Sequence, residues 1–230
     1  LKTFIDRMIQ TLSEKTEIDF VVFLNKDTDI EELLEPLKEF FNVEVVSNNI
    51  DPKEDVRTDI GIKELKYGGC SGPNVHFLKT ANYCKKYNTC LFLETDCMLM
   101  DGWVDSCINY VKYSGTFLVA GATYDGPSGI IPWNERAYFN HINGVAFYNT
   151  QSPYFSTLLE YVDEFIQERA KEGISSAYDV VFTNSIYENL ASNHNYQYWK
   201  FILRNFTKTT LIVNYSVKDD KDVKLDDIFF

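Results

Sequence analysis

Short apolar runs of strand length, alternating with stretches of helical spacing, restrict the possible folds of this chain more than any other feature. Ile18-Asp19-Phe20-Val21-Val22-Phe23-Leu24 is β-branched and aromatic and reads as a buried strand. Before it, Phe4, Ile5, Met8, Ile9 and Leu12 recur at the spacing of an amphipathic helix over 3–14. After it, Asp29 can cap a helix over about 30–41, with Leu33, Leu34, Leu37 and Phe40 inward, and 43–46 is a second strand. Ser71 to Pro73 can open a helix running through Val75, Leu78, Ala81 and Cys84. Cys90-Leu91-Phe92-Leu93 is a fully apolar strand, about 103–113 a helix, and Phe117-Leu118-Val119-Ala120 another strand. This order predicts an α/β domain with a Rossmann-like, mostly parallel central sheet and helices on both faces.

Residues 121–142 break the rhythm, with Gly126, Pro127, Gly129, Pro132 and Trp133. A strand at 144–148, a long helix over 156–172, a helix from Asp179 to about Leu190 and a strand at 210–213 complete the expectation. One domain is expected over 1–217, with 218–230 as an acidic tail or linker. Because Leu1 begins inside a helical pattern, residues are expected upstream, and an opening N-terminal strand lies either among them or at 18–24.

Acids outnumber bases 34 to 22, a net charge of −12, and such a surface repels a phosphate backbone. Nucleic acid is therefore not an expected partner, and an anionic ligand would need local screening by a cation or a helix N-terminus. Aromatic residues reach 15%, a surplus that often lines pockets where rings stack on sugars or bases. Cys70, Cys84, Cys90, Cys97 and Cys107 form no CxxC pair and no Cys/His ligand spacing, so they read as reduced structural thiols suited to a cytoplasmic setting. No apolar run approaches the roughly 20 residues that a membrane span needs, and no signal peptide is visible.

The most informative segment is Leu91-Phe92-Leu93-Glu94-Thr95-Asp96. Ligands of open α/β sheets bind beyond the carboxyl ends of strands, and two acids at i and i+2 there can face one crevice. Such oxygen donors suit Mg²⁺ or Mn²⁺ carrying a diphosphate. The competing reading is a strand end that simply turns.

Glu94-Thr95-Asp96 after a buried strand resembles the DXD motif of GT-A glycosyltransferases, which use nucleotide-diphosphate sugars. Ser71-Gly72-Pro73-Asn74, leading into the preceding helix, resembles the donor-contacting helix of that family. His141-Ile142-Asn143-Gly144 and Ala177-Tyr178-Asp179 resemble its acceptor and acidic segments. The likeness spans roughly 18–215, with a fainter one to glycosyltransferases of large DNA viruses that infect algae. It implies a GT-A-like fold and metal-dependent transfer of a sugar, from a UDP-sugar by preference, to a hydroxyl of a glycan or glycoprotein.

Under this resemblance Asp96 would bind Mn²⁺ or Mg²⁺, and Glu94 would reach it through water or hold the ribose. Glu stands where Asp is usual, a departure that leaves direct Glu94–metal contact open. Thr95, Asn74 and Gly72 would contact the donor, and His194 or His141 would supply a third ligand. His141, Asn143, Gly144 and Trp133 would meet the acceptor or donor sugar. Asp179 falls where inverting members carry the general base. Its bland alternative is a helix cap, shared with Ser175 or Ser176. Gly144 either lets a sugar approach the backbone or is a turn glycine. The glycines at 68, 69 and 72 suggest a phosphate loop without any complete phosphate-loop motif. A sugar-1-phosphate nucleotidyltransferase and a non-catalytic nucleotide-sugar-binding module remain rivals, and retention against inversion stays open.

Overall fold

The structure is a computed structural model that describes residues 1–95, 97–123, 142–182, 206–208 and 213–214. Helix α1 spans Lys2–Gln10 and buries Phe4, Ile5 and Met8. Strand β1 (Asp19–Leu24) crosses through α2 (Glu31–Leu34) to β2 (Asn42–Ser47), and the two strands pair in parallel. A helical crossover places the second strand beside the first in the same direction, as the sequence leads one to expect. The predicted helix over 30–41 divides into α2 and a 3₁₀ segment, Glu35–Glu39, with Pro36 in its first turn. Proline lacks the N–H that would continue the α-helical ladder. The Asp29 carboxylate accepts the Glu31 N–H at 3.1 Å, but the N-cap of α2 is Ile30, one residue later than expected.

Helix α3 runs over Ser71–Tyr83, β3 over Cys90–Leu91, β4 over Cys97–Met98, α4 over Trp103–Tyr113 and β5 over Val119–Thr123. Then follow β6 (Ile142–Tyr148), α5 (Pro153–Lys171), helical residues 178–182, β7 (Phe206–Lys208) and β8 (Val213–Asn214). The larger sheet has the order β3-β6-β5-β7, and β4 pairs with β8 separately.

The chain is mixed α/β, but the expected large, mostly parallel sheet is not what the described residues form. In the larger sheet β6 runs antiparallel to both β3 and β5, and only β5 with β7 is parallel. The sequence predicts no crossover helix in the Gly- and Pro-bearing connection of 121–142, and β6 runs antiparallel to β5.

Side chains of β6 alternate between two hydrophobic clusters, as strand geometry requires. Ile142, Ala146 and Tyr148 join Phe77, Leu78 and Ala81 of α3 and the inner face of α5. Val145 and Phe147 join residues of α1, α2 and α4. Helices thus cover both faces of the sheet. No helix among the described residues is long and apolar enough to cross a membrane. The tail 218–230 lies outside the described residues.

Candidate functional site

Glu94 follows β3 closely. The Phe92 N–H donates to the Ala146 carbonyl at 2.9 Å, which carries the pairing with β6 beyond the regular strand. The Cys97 N–H donates back to the Glu94 carbonyl at 3.0 Å, and the Glu94 N–H reaches the Cys97 sulfur at 3.2 Å. These two contacts turn the chain at the strand end, leaving Glu94 and Thr95 exposed. Asp96 lies outside the described residues.

The Glu94 carboxylate sits over Gly144 of β6 beside the Tyr178 hydroxyl, which is placed to donate to it. A Cβ on Gly144 would stand 2.3 Å from that hydroxyl and 2.6 Å from Glu94 Oε1, inside any permitted contact. Gly144 is therefore a strand glycine whose missing side chain accommodates the Tyr178–Glu94 pair. Of the two readings of this residue, close approach fits better than a turn, although the approaching group described here is the protein's own.

Tyr178 is held from two further directions. Its ring stacks on Phe77 of α3, with centroids 3.9 Å apart and planes 5° from parallel. Its backbone N–H donates to Asn74 Oδ1 at 2.9 Å, while Asn74 Nδ2 donates to the Ser176 carbonyl at 2.8 Å. Asn74 is fully buried, and its amide joins α3 to the start of the 178–182 helix. The donor-contact role expected of it thus meets an observed structural use.

Asp179 Oδ1 accepts the Val180 N–H at 2.9 Å, one of the first-turn amides, although Asp179 is the second residue of the helix and Ala177 holds the N-cap position. The same carboxylate lies close enough to Tyr148 and Tyr178 for its charge, with that of Glu94, to act on both phenols. Burial first, and these carboxylates next, push Tyr148 well above the ordinary tyrosine range. Tyr178 is likewise raised well above it, by burial first and then by neighbouring charge and its hydrogen bond to Glu94. Both phenols stay protonated and can only donate to a carboxylate. Ser175 takes no part in the cap: its hydroxyl donates to the Thr58 carbonyl at 3.0 Å.

The glycine-rich stretch is occupied by the chain itself. The Thr58 N–H donates to the Gly69 carbonyl at 2.8 Å and the Gly72 N–H to the Val56 carbonyl at 3.0 Å. A Cβ on Gly69 would meet the Ile60 carbonyl oxygen at 2.1 Å, and one on Gly72 would meet Asp55 Oδ1 at 2.9 Å. These glycines let the 55–60 loop lie against the entry to α3. His76 hydrogen-bonds through Nδ1 to Asn48 Nδ2 at 3.2 Å.

Of the expected site residues, Glu94, Gly144 and Asp179 come together, and Asn74 braces the segment that carries Asp179. Gly72, two residues before Asn74, lies against Asp55. Asn143 lies in β6 beside Gly144. Trp133, His141 and His194 lie outside the described residues, as Asp96 does. Among the described residues no group of three or more His, Cys, Asp or Glu is placed to hold a metal ion. Tyr178 and Tyr148 were not singled out by the sequence reading. A usable signal existed: Tyr148 is four residues from Gly144 in one strand, hence on its face, and Tyr178 adjoins Asp179.

Compared with known proteins, the chain matches no family model, no curated protein and no solved structure.

Proposed function

We propose that this chain is a metal-dependent glycosyltransferase of GT-A type, moving a sugar from a nucleotide-diphosphate donor, a UDP-sugar by preference, to a glycan or glycoprotein hydroxyl. The observation that carries the reading is convergence. Glu94, Gly144 and the Tyr178–Asp179 pair come from three separated segments, each picked out for its resemblance to a motif of that family, and they meet at one end of β6.

The donor set fits the chemistry of a hard cation in kind. Glu94 offers carboxylate oxygen at an exposed strand end, and Asp96 is two residues away in sequence. Asp96 would hold Mn²⁺ or Mg²⁺, with Glu94 beside it and His194 as a candidate third ligand. The bound ion would neutralise charge developing on the diphosphate leaving group. Asp179 would take the proton from the acceptor hydroxyl as that oxygen attacks the anomeric carbon, which inverts the configuration. The helix start fixes its carboxylate through the Val180 N–H, so that contact and proton transfer are compatible. Tyr148 and Tyr178, kept protonated, would not compete for that proton.

The test is a thermal-shift panel of nucleotide sugars with and without Mn²⁺, in which a bound donor raises the melting temperature by mass action. Asp96→Ala should abolish the Mn²⁺-dependent shift and all turnover while leaving the domain folded. Asp179→Asn should keep the shift but lower transfer by roughly 10²-fold or more. A shift indifferent to Mn²⁺ and retained by Asp96→Ala would defeat the reading in favour of a binding module. Pyrophosphate release from a nucleoside triphosphate and a sugar phosphate would replace it with nucleotidyl transfer.

A further inference from the structure

We propose that Tyr178 is a positioning residue for Glu94, holding its carboxylate in the orientation in which it meets the ligand. What Glu94 meets rests on the nucleotide-sugar reading; that Tyr178 fixes it rests on geometry alone.

Glu94 stands on residues 92–95, which have no regular secondary structure. Its side chain turns about several single bonds, and an exposed glutamate ordinarily samples many rotamers. Here the Tyr178 hydroxyl and the carboxylate lie side by side directly above Gly144, placed for the hydroxyl to donate. Tyr178 is itself immobilised. Phe77 lies flat against its ring at 3.9 Å, and Phe77 is only 2% exposed within the main core. The buried Asn74 amide fixes its backbone, binding both the Tyr178 N–H and the Ser176 carbonyl. A rigid donor held by the core therefore aims a carboxylate that its own backbone segment does not aim. Gly144 completes the arrangement, because any side chain there would displace both partners. Outer hydrogen-bond donors that orient a ligating group commonly matter about as much as this arrangement suggests, with losses of roughly 10–100-fold on removal.

Tyr178→Phe removes the hydroxyl and keeps the ring on Phe77, so the variant tests the hydrogen bond rather than the packing. Full-length wild type, Tyr178→Phe, Glu94→Gln and the double variant would be compared in two measurements: melting temperature without ligand, and affinity for UDP in the presence of Mn²⁺. Tyr178→Phe should weaken UDP–Mn²⁺ binding about tenfold, and should weaken it no further in the Glu94→Gln background, because its action passes through that carboxylate. A purely structural tyrosine would lower both backgrounds equally. Unchanged affinity in Tyr178→Phe, or losses that multiply in the double variant, would overturn the proposal. Should wild type ignore UDP and every other nucleotide diphosphate, the functional reading falls. The ligand-free melting temperatures then decide on Tyr178: non-additive losses uphold its grip on Glu94, and additive ones refute it.

Discussion

The two faces of β6 belong to one strand yet do different work. Val145 and Phe147 face a cluster built from α1, α2 and α4, with Phe4, Ile5, Met8, Leu34, Leu37 and Phe117. Polar groups there are few, and two of them, Trp103 Nε1 and the Tyr110 hydroxyl, have no hydrogen-bond partner among the described residues. Burial pushes the Cys107 thiol up to about 12, which keeps it protonated and inert. On the other face, Ile142, Ala146 and Tyr148 enclose an aromatic group of Phe77, Phe92, Phe155 and Phe182. At the Gly144 end of that face, apolar packing gives way to two carboxylates and two phenols joined by hydrogen bonding and charge. One face is a scaffold whose parts answer only to shape. The other ends in polar groups, the exposed Glu94 and the half-buried Asp179 beside two buried phenols, that apolar packing alone does not call for.

If that division is right, changes on the two faces should separate stability from ligand binding. The largest stability effect is expected from Phe147→Ala, which empties a site only 2% exposed on the scaffold face. Such truncations cost about 3–5 kcal/mol, and a domain of this length should then melt on the order of 10 °C lower. Its folded fraction should still bind UDP–Mn²⁺ with wild-type affinity, and a selective loss of affinity would break the division. Asn74→Ala comes next. It leaves the Tyr178 N–H and the Ser176 carbonyl without their observed partner, at about 1–3 kcal/mol for such buried groups, measurable as a lower urea midpoint. Because Asn74 also steadies Tyr178, this variant should lose affinity as well, unlike Phe147→Ala.

Much of the scaffold was legible, and the reasons are local. The helix predicted over 103–113 is observed as Trp103–Tyr113, and the strand over 18–24 as Asp19–Leu24, because periodicity and β-branching report on each segment's own neighbours. Pro36 was visible too, yet helical spacing outweighed it, and the chain tightens into a 3₁₀ turn there. Strand direction was harder to read. Gly126, Pro127 and Pro132 already argued against a crossover helix, and β6 runs antiparallel to β5. Least legible were the partners of single residues. Asn74 bonds to Ser176 across 102 positions, and Gly72 lies against Asp55 on a loop with no periodic pattern, so no local signal revealed that both already had structural work. The clustering of Glu94, Gly144 and Asp179 could be suspected only by resemblance. The intervening Tyr178 had only its place beside Asp179 to point to it.

Gly144→Ala sharpens the comparison because it lies one residue from Val145 but on the opposite face. The added methyl would collide with the Tyr178 hydroxyl, which its stacked ring holds in place, and with Glu94 Oε1, a side-chain end that can swing aside. The expected loss in melting temperature is a few degrees, smaller than for Phe147→Ala, with roughly tenfold or greater loss of UDP–Mn²⁺ affinity. A stable Gly144→Ala protein of undiminished affinity would show that the two side chains need not sit where they do.

The smallest effect concerns α3 away from both faces of β6. His76 lies beside Asn48 at the end of β2, and burial lowers its pKa from the ordinary 6.5, partly countered by the charge of Asp55. A lowered value means that the folded chain binds this proton less readily than the unfolded chain does. Stability is therefore unaffected well above pH 6.5, declines as pH falls through that value, and levels off below the folded value. His76→Gln cannot titrate and should lack this component. Between pH 7 and pH 5 the melting temperature of wild type should consequently fall a little more than that of His76→Gln, by about a degree or two. Parallel declines would mean that His76 is not held neutral by its surroundings. A difference that appeared only in the presence of UDP–Mn²⁺ would tie this corner of α3 to the ligand.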